Sequence, residues 1–377
     1  MPYLPIRKSE FYPLTLTMAP ENILFGAKTL RTRWHQAIGQ HSGLKDRWID
    51  PTVLPNDALT QAILSLDNNQ ILKSQGSVIA AHLPDRDMGH TSMNDFNQIL
   101  NQHQEVDYVG PLEIIESLQF ILDHNTTQIV KDFETVIKTD SRFKHPIFRN
   151  SIIHPSVSIQ DVVIDDRQGP VLIGAGATIL PGARILGPVV ILEKAVVKMG
   201  AELYPGTVVG PHSVVSGEIK NSVIHEYSAK GHVGYLGDSI LGRWNNLGSG
   251  TTVSNVSNTF SKVQITDWET NDLMEYNSVK RGVITGDFVK LGIQSKVFRG
   301  TAIGSFTSIA TLEAIQGNVP SLSWWTEGKK TKYMPDLLRV HCQNQMALRG
   351  EEWMEYWEDA LTGLISGMPD PKISNRE

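Results

Sequence analysis

Residues 171–215 read "VLIGAGATILPGARILGPVVILEKAVVKMGAELYPGTVVGPHSVV", and in this stretch a branched aliphatic residue recurs at every sixth position. The recurring residues are Ile173, Ile179, Ile185, Ile191, Val197, Leu203, Val209 and Val215. A period of six matches neither the 3.6-residue repeat of an α-helix nor the alternation of a β-strand. The aliphatic residue recurs eight times in succession in one register. Chance spacing in a chain rich in valine, isoleucine and glycine would not keep that register.

This period is the hexapeptide signature of a parallel β-helix, in which each coil has three short sides. The aliphatic residue of each side points into the coil. A small residue four positions later, such as Ala177, Ala183 or Ala201, lets the chain turn without filling the narrow interior. Glycine tolerates the unusual torsion angles of the turns. Stacked coils therefore bury a continuous aliphatic column, and neighbouring coils share their stability.

The period stops and returns twice along the chain. It resumes at Leu241, Leu247 and Val253, is interrupted over residues 256–282, and returns at Leu291, Val297, Ile303 and Ile309. Residues on both sides of the repeat have the apolar spacing of helices instead. "PLEIIESLQFILDHNTTQIVKDFETVIK" (111–138) precedes it and "DLLRVHCQNQMALRGEEWMEYWEDALTGLI" (336–365) follows it, whereas "GSVIAAHL" (76–83) has the composition of a strand.

We therefore predict three regions. Residues 1–150 form a mixed α/β domain, residues 151–318 form the β-helix, and residues 319–377 form a helical extension. One or two helices of the extension are expected to pack on the end of the β-helix or on a partner subunit, with their tryptophans and tyrosines as core.

The composition of the chain limits the kinds of molecule that the protein is expected to bind. The chain of 377 residues has a formal net charge of -6 and no block of basic residues, which disfavours nucleic acid as a ligand. No apolar run has the length of a signal sequence or a membrane span. The single cysteine, Cys342, excludes an internal disulfide and suits a reducing compartment. We expect a cytoplasmic protein that does not bind membranes.

A second motif interrupts the repeat. Residues 217–255 read "GEIKNSVIHEYSAKGHVGYLGDSILGRWNNLGSGTTVSN". The stretch resembles the acetyltransferase half of the bifunctional N-acetylglucosamine-1-phosphate uridylyltransferase/glucosamine-1-phosphate acetyltransferase family, the GlmU family. That resemblance implies a left-handed β-helix, a homotrimer with active sites between subunits, and acetyl-CoA as the acyl donor.

The resemblance also implies roles for individual residues. His232 corresponds to the general base, a task that suits an imidazole because its ordinary pKa is about 6.5. The residues implied in substrate binding are Lys220, Tyr235, Asn246 and Asn255, and Lys198 is a further candidate for binding phosphate. The residues implied in coenzyme A binding are Gly248, Ser249 and Lys290. Each of them also has a structural interpretation: an exposed lysine, a packing tyrosine, or an asparagine stacked in a turn.

The motif departs from the family at one point. The family places a phosphate-binding arginine about one coil before the lysine. The corresponding position here lies near Glu202, which has the opposite charge, and Lys198 is the available substitute. This departure concerns the recognition of the substrate's phosphate, on which the identity of the sugar depends.

The amino-terminal region carries a second resemblance. "YPLTLTMAPENILFGAKTLRTRW" (12–34) is similar to the stretch of sugar-phosphate nucleotidyltransferases that follows their glycine-rich nucleotide loop. Ala19–Asn22 stand where that family has Arg-Pro-Lys-Pro, and no glycine-rich loop precedes Pro13. Mg²⁺ is expected only if this domain is active. Scattered aspartates that could serve as ligands are Asp85, Asp87, Asp95 and Asp107.

Three functions are therefore compared. The first is an acetyl-CoA-dependent N-acetyltransferase that acts on an amino-sugar phosphate or a nucleotide amino-sugar. The second is a sugar-1-phosphate nucleotidyltransferase, uridylyl or thymidylyl. The third is a trimeric regulatory or assembly protein without catalysis. Binding of coenzyme A favours the first, binding of a nucleoside triphosphate to residues 1–150 favours the second, and binding of neither favours the third.

Overall fold

A computed structural model of the protein describes residues 2–4, 9–39, 46–84, 103–139, 148 and 150–367. The chain divides into two compact units. The first comprises Met1–Glu10, Ala19–Ile23 and Lys28–Ser117, and the second comprises Phe11–Met18, Leu24–Ala27 and Leu118–Glu377. The strands of the repeat begin at Ser151, close to the expected domain boundary at 150, whereas the two units divide between Ser117 and Leu118.

The first unit is the expected α/β region. Its helices are α1 (Leu30–Ile38) and α2 (Asp57–Leu64), and the side chains of Thr29 and Asn56 cap their amino-terminal ends. Its four-stranded sheet has the order Arg47–Ile49, Ser77–His82, Gln70–Ser74, Gln104–Asp107. The last pair is parallel and the other two pairs are antiparallel.

The amino-terminal residues also form short strands and 3₁₀ turns. They are the two-residue strands Leu24–Phe25 and Lys28–Thr29 and the 3₁₀ turns Ser9–Phe11, Leu14–Leu16 and Pro20–Asn22.

The second unit is built on a parallel β-solenoid with three faces. The strands of the first face, in spatial order, are Ser151–Ile153, Val171–Ile173, Val189–Ile191, Thr207–Val209, Val223–Ile224, Ile240–Leu241, Ile284–Thr285, Ala302–Ile303 and Asn318–Val319. The strands of the second face are Thr178–Ile179, Val196–Val197, Val214–Val215, Ala229–Lys230, Asn246–Leu247, Lys290–Leu291, Ser308–Ala310 and Ser323–Thr326, followed by the antiparallel Lys329–Lys332. The third face is formed by Val163–Asp165, Arg184–Leu186, Glu202–Leu203, Glu218–Lys220 and Tyr235–Gly237, and then by Thr252–Val253, Lys296–Val297 and Ala314–Ile315.

The residues that recur every six positions are the ones whose side chains point into the solenoid from these faces. Every aliphatic residue of the predicted series lies in one buried cluster that runs through the solenoid. Strands of successive coils pair in parallel and in register, as Ile179 with Val197 and Val197 with Val215 on the second face. The interruption over 256–282 contains an antiparallel pair, Gln264–Thr266 with Leu273–Glu275. The prediction of a parallel β-helix is therefore confirmed.

Large aromatic residues form the first corner, which joins the first face to the second. Tyr227, Trp244, Phe288 and Phe306 adopt positive φ angles there, and their rings stack between successive coils at centroid distances of 4.3, 5.9 and 5.3 Å. The hexapeptide repeat predicts small residues at the turns, and this prediction is wrong for these positions of the first corner, where the stacked rings point away from the narrow interior.

Among the residues that the structure describes, three helices accompany the solenoid. Helix α3 (Leu118–Thr139) belongs to the same unit, and its Asn125 donates a hydrogen bond to the carbonyl oxygen of Gly206. Helices α4 (Pro335–Ala347) and α5 (Glu355–Ile365) lie within the expected extension of residues 319–377, whose first strands, Ser323–Thr326 and Lys329–Lys332, still belong to the second face of the solenoid. They cover the side of the solenoid at the first corner, where Leu338, Cys342 and Trp357 join the aromatic stack in one buried cluster. The aromatic residues therefore serve as core, as expected, but the helices pack along the side of the solenoid and not on its end, because the large aromatic corner residues of successive coils offer an apolar surface there.

His225 lies fully buried beside the first corner. Its Nδ1 lies 2.8 Å from the carbonyl oxygen of Leu241, which can only accept, so this nitrogen carries the proton. Its Nε2 accepts from the backbone N–H of Leu24 at 3.1 Å. Burial lowers the pKa of His225 to about 4, and the ring therefore stays neutral in the folded protein.

This arrangement predicts an acid-sensitive fold. Because the folded pKa lies below the ordinary 6.5, the unfolded chain binds the extra proton between these values, and stability falls as pH falls through that window. The loss amounts to about 3 kcal/mol once pH is below 4. Urea unfolding at pH 7.5 and pH 4.5 should show a smaller pH effect in His225→Gln than in the wild type. Equal pH effects in the two proteins would contradict a neutral buried His225.

Candidate functional site

The second corner of the solenoid joins the second face to the third and carries His232. Four residues separate the flanking strands at 198–201, 231–234 and 248–251, but only two, Ser216 and Gly217, do so in the coil beside His232. The inward residues show the same shortening, because Val215 is followed by Ile219 after four positions instead of six. One coil is therefore short at this corner, directly next to the loop that bears His232.

Two lysines from neighbouring coils hold the His232 loop at the short corner. Lys198 donates from Nζ to the carbonyl oxygen of Gly231 at 2.9 Å. Lys230 donates from Nζ to the carbonyl oxygens of Ser216 at 2.9 Å and His232 at 2.5 Å. The backbone on both sides of His232 is thus fixed by ammonium groups.

Lys230 occupies an inward position that other coils fill with an aliphatic side chain. It pairs with Val215 on the second face, it precedes Leu247 in the same column, and it is 1% exposed. Burial lowers the pKa of Lys230 to about 8. Lys230 is not among the residues predicted for the site, although its place six residues after Ile224 marks it as an inward residue.

Glycines allow the loop to pack closely on its neighbours. A Cβ atom at Gly234, where φ is +122°, would lie 2.0 Å from the carbonyl oxygen of Thr251. A Cβ atom at Gly217 would lie 2.7 Å from the carbonyl oxygen of Gly234. The Gly250 N–H donates to the Val233 carbonyl oxygen at 3.1 Å, which ties the loop to the next coil.

The ring of His232 is exposed, and its nitrogens have no hydrogen-bond partner in the part of the chain that the structure describes. Gly248 and Ser249 occupy the same corner one coil further on. The backbone N–H groups of His232 and Ser249 have no acceptor among the described residues. A rigid loop with an unpaired imidazole and unpaired amide donors can take up a proton and stabilise an oxyanion.

Tyr235 and Asn255 form a separate group on the third face. Asn255 hydrogen-bonds Tyr235 and donates to Asp238 Oδ2 at 2.5 Å, and Asn221 donates to Asp238 Oδ1 at 2.7 Å. Burial and the charge of Asp238 raise the pKa of Tyr235 to about 12. Lys220 is exposed on the same face, opposite Gly237. Asn255 is therefore already engaged by a carboxylate of its own chain.

Asn246 and Lys290 lie on the second face, where they pair with each other across adjacent strands. Asn246 also pairs with Ala229, which lies three residues before His232. Glu202, at the position where the family places an arginine, forms an ion pair with Arg184 at 2.7 Å. The predicted residues thus fall into three places: the His232 corner, the third face and the second face.

The segment that resembles nucleotidyltransferases has structural contacts in the second unit. Thr17 donates to Asp287 Oδ2 at 2.8 Å, and its carbonyl oxygen accepts from Arg243 at 2.8 Å. Among the candidate aspartates, Asp107 is exposed, whereas Asp85, Asp87 and Asp95 lie outside the described residues. Within the described ranges no three His, Cys, Asp or Glu residues are grouped to hold a metal. No described helix is both long and apolar enough to cross a membrane.

The role of Lys230 is testable by amide exchange. In Lys230→Met the carbonyl oxygens of Ser216 and His232 lose their donor, so the loop is held less firmly. We expect the Gly250 amide, which reports on the loop, to exchange at least tenfold faster, while the Gly248 amide, bonded to Leu291 within the ladder, is unchanged. Lys296→Met, at an exposed lysine of the third face, is the matched control. Unchanged protection of Gly250 would show that Lys230 does not anchor the loop.

Comparison with known proteins places these features in a family. The sugar nucleotidyl transferase family matches residues 45–141. An uncharacterized acetyltransferase of Escherichia coli O6:K15:H31, YaiX, is 31% identical over 169 residues, which are 44% of this chain and 73% of the relative. The bifunctional protein GlmU of Methanococcus aeolicus is 35% identical over 188 residues, 49% of this chain and 40% of the relative.

Among solved structures, the Francisella novicida UDP-N-acetylglucosamine acyltransferase is 14% identical, with a TM-score of 0.31, over 58% of this chain and 88% of that one. The chain spans less than half the length of the GlmU relative. From the acetyltransferase and GlmU matches we conclude that the chain belongs to the GlmU-like family of transferases.

Proposed function

We propose that the protein transfers an acetyl group from acetyl-CoA to the amine of an amino-sugar phosphate or a nucleotide amino-sugar, as a homotrimer. The names of its relatives, an acetyltransferase, GlmU, and a bifunctional sugar-1-phosphate nucleotidylyltransferase/acetyltransferase of Sulfurisphaera tokodaii, support this class of reaction. The observation that carries the proposal is the His232 loop, which Lys198 and Lys230 hold by its backbone while the ring stays exposed.

The chemistry follows from this geometry. The sugar amine attacks the thioester carbonyl carbon, and His232 takes the proton that the amine must lose. The carbonyl oxygen becomes an oxyanion, for which the free N–H of Ser249 is a donor on the adjacent coil. The carbon–sulfur bond then breaks, and His232 returns its proton to the leaving thiolate. This sequence forms the amide and releases coenzyme A with no other reactant.

Substrate binding is assigned to the remaining predicted residues. Lys220 is an exposed cation for the phosphate of the acceptor. Lys198 uses one of its three N–H donors within the protein, so the other two can also meet an anion. Tyr235, Asn246 and Asn255 supply hydrogen-bonding groups for sugar hydroxyls. Asn255 would keep its bond to Asp238 and offer its amide oxygen.

Nucleotidyl transfer is the second candidate, and the family match over residues 45–141 favours it. That reaction needs backbone donors around phosphates, a cation and usually Mg²⁺. The segment expected to follow the nucleotide loop is instead engaged through Thr17 with Asp287 and Arg243. Titration of the protein with UTP and dTTP in the presence of Mg²⁺ tests this candidate, because no binding would remove it.

The acetyltransferase proposal predicts coenzyme A thiol release from acetyl-CoA that depends on an amino-sugar acceptor. With glucosamine-1-phosphate, or a panel of nucleotide amino-sugars, we expect kcat to fall by about a hundredfold or more in His232→Ala. His154→Ala removes another exposed imidazole of the solenoid and should retain wild-type kcat. Absence of acceptor-dependent thiol release by the wild type across the panel would disprove the proposal.

A further inference from the structure

The side chain of Tyr235 lies along the third face, over Gly237. A Cβ atom at Gly237 would lie 2.2 Å from the hydroxyl oxygen of Tyr235, and the nearest atoms that it would meet all belong to that phenol group. Tyr235 begins the strand after the second corner and follows His232 by three residues. Its ring therefore runs from the His232 corner towards the third corner, which joins the third face to the first, and the glycine leaves room for it.

Asp238 holds two amide groups at the third corner. The residue is 7% exposed, and both oxygens of its carboxylate accept hydrogen bonds. Oδ1 accepts from Asn221 Nδ2 at 2.7 Å, and Oδ2 accepts from Asn255 Nδ2 at 2.5 Å. A buried carboxylate is unfavourable unless it is hydrogen-bonded, and it can only accept. Asp238 therefore fixes which way each amide points.

This orientation leaves one hydrogen-bonding group free on each of two side chains. The bond with Asn255 favours the ionised form of Tyr235, as a bond donated by an N–H group to the phenol oxygen does. Both N–H groups of Asn255 are thus engaged, and its Oδ1 has no donor among the described residues. Burial and the charges of Asp238 and Glu218 raise the pKa of Tyr235 to about 12, so its hydroxyl keeps a proton.

Tyr235 and Asn255 therefore present a donor and an acceptor beside each other, and both side chains are partly exposed. A sugar hydroxyl fits this pattern, because it can donate to Asn255 Oδ1 while it accepts from the O–H group of Tyr235. A phosphate oxygen fits poorly. It can only accept, and it would face the amide oxygen of Asn255 and the negative charge of Asp238.

We propose that Asp238 and Gly237 are positioning residues for the acceptor. Gly237 leaves the space in which Tyr235 lies, and Asp238 turns the amide of Asn255, so that these two side chains together bind a hydroxyl group of the sugar. The sugar is then held across the third face with its amine towards His232. This inference rests on the proposed function and adds how the site recognises an uncharged part of the acceptor.

Steady-state kinetics of acceptor-dependent thiol release by the full chain test the two positions. Gly237→Ala displaces the phenol group of Tyr235, and Asp238→Asn removes the carboxylate that orients Asn255. We expect each change to raise the KM of the acceptor about tenfold or more, because a hydrogen bond to the sugar is lost. The KM of acetyl-CoA and kcat should stay within about twofold of the wild type.

Two further variants show whether Asp238 acts through Asn255. When Asn255→Ala is already present, adding Asp238→Asn should change the KM of the acceptor by less than about twofold. A further tenfold rise in that double variant would overturn the role of Asp238 as a positioning residue. Glu275→Gln removes an exposed carboxylate that is paired with Lys262 at 3.2 Å. It is the matched control for Asp238→Asn and should retain wild-type kinetics.

Thermal melting of each variant shows that it is folded before it is assayed. A wild-type KM for the acceptor in both Gly237→Ala and Asp238→Asn, with acceptor-dependent thiol release by the wild type, would overturn the inference and leave the proposed function standing. An equal rise in the KM of acetyl-CoA would show a general structural role and would also overturn it. A wild type that releases no thiol would overturn both.

Discussion

The inward register of the solenoid is the constraint on which the rest of the second unit depends. A coil closes only if one residue per side points inward, and parallel pairing then aligns that residue with its equivalents in the coils above and below. Every outward residue and every corner is positioned by this rule. Where the spacing falls from six to four between Val215 and Ile219, the second corner loses two residues. The local shortening brings Ser216 within reach of the Lys230 ammonium group.

That register also explains how a charged side chain is tolerated in the column. An ammonium group in an aliphatic interior is unfavourable unless it is hydrogen-bonded. Lys230 extends from the column to the corner, where two carbonyl oxygens accept from it. The same contact orients the backbone of His232. The short coil, the interior Lys230 and the exposed His232 ring are thus linked by direct contacts. The proposed chemistry uses the His232 ring.

A buried ion pair joins distant parts of the second unit. Arg243 and Asp287 form an ion pair at 2.6 Å with side-chain exposures of 8% and 0%. Burial alone would lower the pKa of Arg243, but Asp287 raises it above its ordinary value. Thr17 and the hydroxyl of Tyr356 complete the network, which joins the amino-terminal segment, two coils and α5. Removal of either charge would leave the other buried without its partner, which is costly.

The solenoid could be predicted from the sequence because each side of a coil contributes one inward aliphatic residue, which produces the six-residue period. Helical spacing likewise predicted α4 and α5, but periodicity carries no information on where a helix packs. The cover that these helices form over the aromatic corner therefore becomes visible only in three dimensions. Lys230 was missed because a lysine in sequence is ordinarily a surface residue, and only its register reveals burial. The motif indicated His232, and the structure shows that Lys198 and Lys230 hold the loop around it.

The most direct test of the account is a crystal structure of the protein with a hydrolysis-resistant acetyl-CoA analogue and an amino-sugar acceptor. We predict that the acceptor amine lies within about 2.6–3.2 Å of a ring nitrogen of His232, with the carbonyl of the analogue facing the Ser249 amide. An acceptor bound elsewhere, with the His232 ring still in solvent, would contradict it.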